Sequence, residues 1–438
     1  MRLMKILLPA LLALAIAASP VFAGGGGDKA AGSGGAVTLK VAQMMNEANS
    51  IERLNEIFSV YTKSNPNVKV EATYISVNNL WADFVTSVST MVAAGDPPDV
   101  VLMALEGIST LVSSGLAAPL NPYLNARPDM KDYIFTNTPE ELIGPFRGAD
   151  GSIYSTLMSQ NNVVVHCNTK LFAEAGIPLP PAGSWGLQEF LEVCRKLTKT
   201  KANGEKQYAF YLTNDHFMYS ALAATWGVDF LAPDMKKANL NTPAMIEFSK
   251  FCYDMIHTWG YSPIPQANDD YNQLLVDGRV AMTLAGRWPT ASYANNNFTD
   301  VYITTIPHFK KEVMTYGADG YVVISKTKHF DEAAGLAVWT STPEFLRQYL
   351  TTGNIPCNQA IFAEICGKSG VPKNWELFYD MKYVKGCTSP QAPPAFADVS
   401  NIIKSYRTSI YAGETTDYAR AWAAAEREIN DAITNYAY

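Results

Sequence analysis

An α/β fold of two lobes, joined by strands that cross between them and followed by a helical tail, is what this sequence predicts. Three observations carry that prediction. Strand and helix patterns alternate from Val37 to Leu105, the alternation restarts at Asn162, and the last third turns to long amphipathic segments. A chain that repeats strand, helix, strand builds an α/β layer, because each helix buries its apolar stripe against a sheet.

The elements follow in order. Val37 to Ala42 alternates apolar and polar residues and reads as a strand. Ile51, Leu54, Ile57, Phe58 and Tyr61 recur on one helical face, and Asn65-Pro66-Asn67 stops that helix. Val68 to Ile75 is a second strand, and Leu80 to Ala94 a second helix ended by Gly95. Val100 to Leu105 is wholly apolar, as expected of a parallel strand covered on both faces. Beyond it, Asn162 to His166 reads as a buried strand, Trp185 to Lys199 as a helix and Gln207 to Thr213 as a strand. Helices are expected at Tyr219 to Thr225 and Ala244 to Thr258. Strands are expected at Val280 to Ala285, Val301 to Ile306 and Tyr321 to Ser325, with a helix at Phe330 to Thr340. Ala397 to Tyr411 and Thr416 to Tyr436 form the helical tail.

The amino terminus carries a different signal. Arg2 and Lys5 precede an apolar run from Ile6 to Ala18, and Val21-Phe22-Ala23 follows as a small-residue cleavage site. This is the layout of a secretory signal over residues 1–23, and the run is shorter than the roughly 20 residues needed to span a bilayer. No cysteine lies at the cleavage point to carry lipid, so a periplasmic protein without a lipid anchor is expected. Residues 24–36, rich in glycine, read as a flexible leader.

Composition narrows the function. The net charge is −7, and no run of basic residues interleaved with aromatics occurs, which argues against a nucleic-acid partner. Six cysteines are too sparse for a disulfide-held scaffold. Cys167, Cys194 and Cys252 sit at apolar positions and read as buried thiols. Among Cys357, Cys366 and Cys387 one pair is open, with no connectivity legible. The chain has no G-x-S-x-G, H-E-x-x-H, Walker loop or complete G-x-G-x-x-G, and its five histidines lack metal-ligand spacing. Neither a cofactor nor a metal is expected. Aromatic residues make up 11% of the chain, and Tyr154, Trp226, Trp288 and Tyr321 stand beside polar residues near strand ends. Flat apolar faces flanked by amides and carboxylates suit a sugar ring; core packing is the other reading of each residue.

Six runs in order resemble the extracellular solute-binding proteins of ABC importers, the family that includes maltose-type and glycerol-phosphate-type receptors. They are Ala93-Ala94-Gly95-Asp96-Pro97-Pro98-Asp99-Val100-Val101, Gly115 to Leu120, Gly151 to Tyr154, Asn168 to Pro178, Ser184-Trp185 with Glu189-Phe190, and Gly278 to Trp288. The resemblance spans residues 37 to 360. Departures are Cys167 in place of tyrosine, Ser155-Thr156-Leu157 in place of a proline turn, and Arg287 where proline is common. Several signature residues have structural tasks: Gly95 as a left-handed helix cap, Asp99 as an acceptor for backbone amides.

The resemblance implies a periplasmic-binding-protein-like fold of type II. One lobe would comprise residues 37–157 with 307–352, the other 158–306 with 353–438. Hinge strands are expected near Leu157–Asn162, Ile303–His308 and Thr351–Ile355. By position in the family, ligand residues would be Asn46, Glu47, Glu106, Gln160, Asn161, Asn214, Trp226, Trp288, Asp319 and Tyr321. The implied activity is capture of a sugar or sugar-like solute by lobe closure, without catalysis, and delivery to ABC permease membrane subunits by a monomer. Arg287 leaves an anionic ligand such as a uronate or glycerol phosphate open, against a local structural role. A secreted carbohydrate hydrolase or lyase, and a chemoreceptor of the same fold, are the alternatives.

Overall fold

A computed structural model describes residues 36–44, 51–77, 80–148, 150–183, 185–349, 355–365, 372 and 374–436. The signal and leader, Asn46, Glu47, Cys366 and the expected hinge residues Thr351–Asn354 lie outside the described residues.

Two sheets organise the chain from Ala36 onward. The strands, in chain order, are β1 (Val37–Met44), β2 (Val68–Ile75), β3 (Val100–Ala104), β4 (Ala117–Ala118), β5 (Ser159–Asn162), β6 (Val164–Asn168), β7 (Lys199–Thr200), β8 (Lys206–Tyr211), β9 (Val280–Ala285), β10 (Val301–Thr304), β11 (Tyr316–Ile324) and β12 (Ile355–Pro356). The 7-stranded sheet runs β12-β5-β11-β3-β1-β2, with β4 on β11; the 5-stranded sheet runs β10-β6-β9-β8-β7. β1, β2 and β3 are parallel, as are β8 and β9, and the other pairings are antiparallel. Parallel neighbours require crossover helices, and α1 (Ile51–Ser64) and α2 (Leu80–Ala93) supply them for the first three strands.

The stretch read as one strand from Asn162 to His166 belongs to two. β5 ends in the larger sheet at Asn162, Val163 turns, and β6 begins in the smaller sheet at Val164. An apolar run buried throughout carries no mark of which sheet it joins. β5 and β12 both hydrogen-bond into the larger sheet, and Leu377, Phe378, Tyr379, Tyr383 and Val384 pack in its core cluster. The expected partition had placed these segments with the second lobe. The helices Phe396–Ala412 and Tyr418–Asn435 do pack on the smaller sheet's core, through Val399, Ile403, Ile410, Trp422, Ala425 and Ile429.

Local chemistry agrees with the sequence at several points. Gly95 takes φ +80°, the left-handed cap. Asp99 accepts from the Lys40 amide at 2.8 Å and from the Thr327 hydroxyl at 2.5 Å, tying β1, β3 and the end of β11 together. The chain before β5 is tight: Leu157 is buried at φ +60°, a left-handed conformation costly for a branched side chain. Gly320 of β11 allows it, since a Cβ there would lie 2.9 Å from the Leu157 Cα and 2.2 Å from the Ser155 Oγ. Cys167, Cys194, Cys252 and Cys357 are buried and Cys387 partly so, all as free thiols.

Candidate functional site

Ligands of open α/β sheets lie off the carboxyl ends of their parallel strands. In the larger sheet, β3 ends at Ala104 and the chain turns directly into α3 (Leu105–Ser113), with Glu106 in its first turn. β11 runs antiparallel beside β3 and sets Asp319 opposite Ala104. In the smaller sheet, β8 ends at Tyr211, and the helix His216–Thr225 follows with Asp215 as its N-cap. β9 ends at Ala285, followed by Gly286, Arg287 and Trp288.

These ends meet at Gly317. A Cβ there would stand 3.1 Å from the Phe217 ring and 3.6 Å from the Leu105 side chain, so the first turns of the 216–225 helix and of α3 close on β11 at this point. Residues paired across an antiparallel ladder share a face, so Ser159 and Asn161 lie on the same side of the sheet as their partners Asp319 and Gly317. Asp319 accepts from the Ser159 hydroxyl at 2.6 Å. Gln160 lies on the opposite face; fully buried, it donates to the Phe378 carbonyl at 3.1 Å and anchors the 375–379 turn.

Three carboxylates are electrostatically linked here. Glu106 is only 8% exposed. Desolvation pushes its carboxyl up to about 8, opposed by a hydrogen bond from its own amide and reinforced by repulsion from Asp215 and Asp319. Burial raises Asp319 to about 7 against the lowering effect of Ser159. Asp215 is raised by burial too, while the bond it accepts from the Met218 amide and the positive charge of Arg407 hold it down.

The smaller sheet contributes an aromatic wall fixed by hydrogen bonds. The Trp288 indole donates to the Tyr271 hydroxyl at 2.7 Å, and its ring centroid is 6.3 Å from that of Phe217. Gly286 is what lets the indole lie flat on the backbone, because a Cβ there would stand 2.2 Å from the ring. Tyr271 stacks on Tyr211, whose hydroxyl donates to Asp269 at 2.9 Å. Asp269 also accepts from the Gln266 amide, and the Gln266 carbonyl accepts from the Asn214 side chain at 3.0 Å. Beneath this layer the buried Arg407 donates to the carbonyls of Asn214 and Asp215.

Of the expected site residues, Glu106, Asn161, Asn214, Trp288 and Asp319 lie on the elements that approach one another near Gly317. Asn46 and Glu47 lie outside the described residues. Gln160 turns to the reverse face. Trp226 caps the far end of the 216–225 helix, roughly 15 Å along the axis from Asp215. There it packs against Phe251 and Phe309 at 5.1 and 5.3 Å, beneath the Lys310 ammonium. Tyr321 is 1% exposed in the larger sheet's core, edge-on to Phe58 and donating to Gln43 at 2.5 Å. Aromatic residues near strand ends look alike in sequence whether they face a cleft or a core. Asp215, Phe217, Tyr271 and Arg407 were not anticipated. An aspartate before a helical run is a readable N-cap, whereas nothing in the tail sequence points Arg407 at residue 214. Among the described residues no cluster of His, Cys, Asp and Glu could hold a metal ion. A hollow of about 400 Å³ between α1 and β2, lined by residues such as Asn55, Phe58 and Glu71, contains none of the cleft residues.

Two α/β sheets whose strand ends approach one another at Gly317 make a two-lobed architecture. The model of the bacterial extracellular solute-binding protein family matches residues 56–379, and the chain belongs to that family. The maltodextrin-binding protein of Bacillus subtilis is 22% identical over 78% of this chain and 74% of its own. Among solved structures, an ABC substrate-binding protein from Listeria monocytogenes in complex with cycloalternan superposes with a TM-score of 0.78 at 20% identity, over 91% of this chain and 99% of its own. The maltodextrin-binding domain of Bdellovibrio bacteriovorus bound to maltotriose gives 0.75 at 21%, over 91% and 100%. At such identities the likeness carries the fold.

Proposed function

We propose that this protein is the extracytoplasmic receptor of an ABC importer, which captures a saccharide in the cleft between its lobes and hands it unchanged to membrane permease subunits. One observation carries the reading: the Trp288–Phe217 pair of the smaller sheet and the acids Glu106 and Asp319 of the larger one sit on elements that approach one another at Gly317. Aromatic faces cover the apolar faces of a pyranose while carboxylates and amides bond its rim hydroxyls. The relatives named above for maltodextrin and maltotriose support a sugar as the solute class.

Closure follows from the same geometry. A solute held by one lobe gains contacts when the other swings in, so it favours the closed state by its differential affinity. The turn at Val163 and the stretch 305–315 between β10 and β11 join the two sheets and are where rotation is absorbed. No helix among the described residues is long and apolar enough to cross a membrane, and export by the amino-terminal signal completes the reading. The test is a thermal-shift screen of the mature protein against neutral sugars, uronates and glycerol phosphates, with mass spectrometry of each hit. A solute that raises the melting temperature and is recovered intact supports the receptor. A hit recovered cleaved would mean a hydrolase or lyase.

A further inference from the structure

We infer that Asp269 is a positioning residue for the stacking face of Trp288, acting through Tyr211 and Tyr271; its bearing on the solute rests on the receptor reading, while the relay itself does not. One carboxylate oxygen of Asp269 accepts from the Tyr211 hydroxyl at 2.9 Å and from the Gln266 amide at 2.8 Å. It thereby ties the end of β8 to the segment 262–270. The Tyr211 ring is buried and lies 6.3 Å from that of Tyr271, with 25° between the planes. The neighbouring Asp270 caps the short helix Tyr271–Val276, accepting from the Asn272 and Gln273 amides at 3.0 and 2.9 Å. That cap fixes where Tyr271 leaves the backbone. The Tyr271 hydroxyl in turn accepts from the Trp288 indole at 2.7 Å. The series runs from Asp269 through two tyrosines to a half-buried indole.

The segment that carries Asp269 is itself pinned to the exit of β8. The buried Ser262 hydroxyl accepts from the Leu212 amide at 3.1 Å and donates to the Pro263 carbonyl at 2.8 Å. The Asn214 side chain donates to the Gln266 carbonyl at 3.0 Å. Asp269 therefore acts from a fixed place, and its bond from Tyr211 is charge-assisted. What an indole offers a sugar depends on the tilt of its ring as well as its area. Gly286 lets the ring lie on the backbone, and the bond to Tyr271 sets its edge. A contact residue whose rotamer is locked by the groups behind it loses little freedom on binding. Asp269 thus does two separable jobs, stapling the segment through Gln266 and orienting the tyrosine pair through Tyr211. Tyr211→Phe removes the second job and leaves the first.

Nuclear magnetic resonance of the 15N-labelled mature protein tests the relay without any solute. The Trp288 indole N–H is assigned by its loss in Trp288→Phe, and the other tryptophans report whether each variant is folded. In Asp269→Ala and in Tyr211→Phe the Trp288 signal is expected to shift and broaden, with solvent exchange of its proton faster by about tenfold. Asp269→Asn, which keeps an acceptor oxygen, should restore it. An unmoved Trp288 signal in folded Tyr211→Phe would overturn the inference and leave Asp269 a segment staple. Calorimetry with maltotriose then reads the consequence as a double-mutant cycle. Asp269→Ala should weaken binding about fivefold in the parent and less than about twofold in Trp288→Ala, because the two residues act as one unit. Equal losses in both backgrounds would overturn the link to Trp288. Failure of maltotriose to bind the parent would count against the saccharide reading alone, and the indole signal would still decide the relay.

Discussion

The two sides of the cleft hold their functional groups in opposite ways. On the larger sheet Glu106 and Asp319 are carboxylates with few partners among the described residues, both raised by desolvation. On the smaller sheet every group is braced: Trp288 by Tyr271, Tyr211 by Asp269, Asn214 by Gln266, and the 214–215 backbone by Arg407. The contrast teaches a division of labour. A braced aromatic wall loses little freedom when a solute arrives and so offers a prepared surface. Underpartnered carboxylates instead gain most from a solute that supplies donors, which rewards closure.

Removing the brace is expected to have the largest effect. Arg407→Ala strips two carbonyls of a charged donor and empties a buried site over Tyr219, at a cost of about 4 kcal/mol in urea unfolding, with weaker solute binding besides. A variant as stable as the parent would show that the smaller sheet is not braced from below.

The pH dependence probes the other side. Both raised carboxyls bind more protons folded than unfolded across the range from about 4 to 8. Their contribution is therefore undiminished at low pH and is lost as pH rises through that window. Among the described residues, the charged groups acting on Glu106 are Asp215 and Asp319, and both reinforce the trend. Going from pH 5 to pH 8 should lower the unfolding free energy by on the order of 3 kcal/mol more in the parent than in Glu106→Gln. Equal slopes in the two proteins would mean that Glu106 stays ionised throughout.

Trp288→Ala should cost about 2 kcal/mol of affinity, roughly thirtyfold in Kd. Gly286→Ala should reproduce much of that loss by displacing the indole, and calorimetry on the two variants compares them directly. The smallest effect belongs to Trp226→Phe: affinity within about twofold of the parent, since the residue packs at the other end of its helix, with only a modest loss of stability. A large loss of affinity there would extend the aromatic wall well beyond Trp288.

How much of this was legible varied with the kind of signal. The alternation that predicted β1, α1, β2, α2 and β3 appears at nearly the expected residues, as do the tail helices Phe396–Ala412 and Tyr418–Asn435. Gly95 and Asp99 perform the tasks their chemistry suggested. Glu106, Asn161, Asn214 and Trp288 lie at or near strand ends, and Asp319 lies inside β11 opposite the end of β3, so the resemblance proposed positions close to where the two sheets approach. Gln160, Trp226 and Tyr321 face elsewhere. Facing is set by ladder register for Gln160, by the far end of a helix for Trp226, and by the packing of β11 against Phe58 for Tyr321.

The sequence alone thus determined the elements, the α/β class and the family, because periodicity, caps and turn residues act within a few positions of themselves. Tertiary structure decided which sheet each strand joins, where the chain crosses at Val163, and which polar groups share a cleft. Glu106, Asp215 and Asp319 are far apart in the chain, and only the tertiary fold buries Glu106 within electrostatic reach of the other two. Desolvation and charge repulsion are properties of distance in space, and no local pattern encodes them.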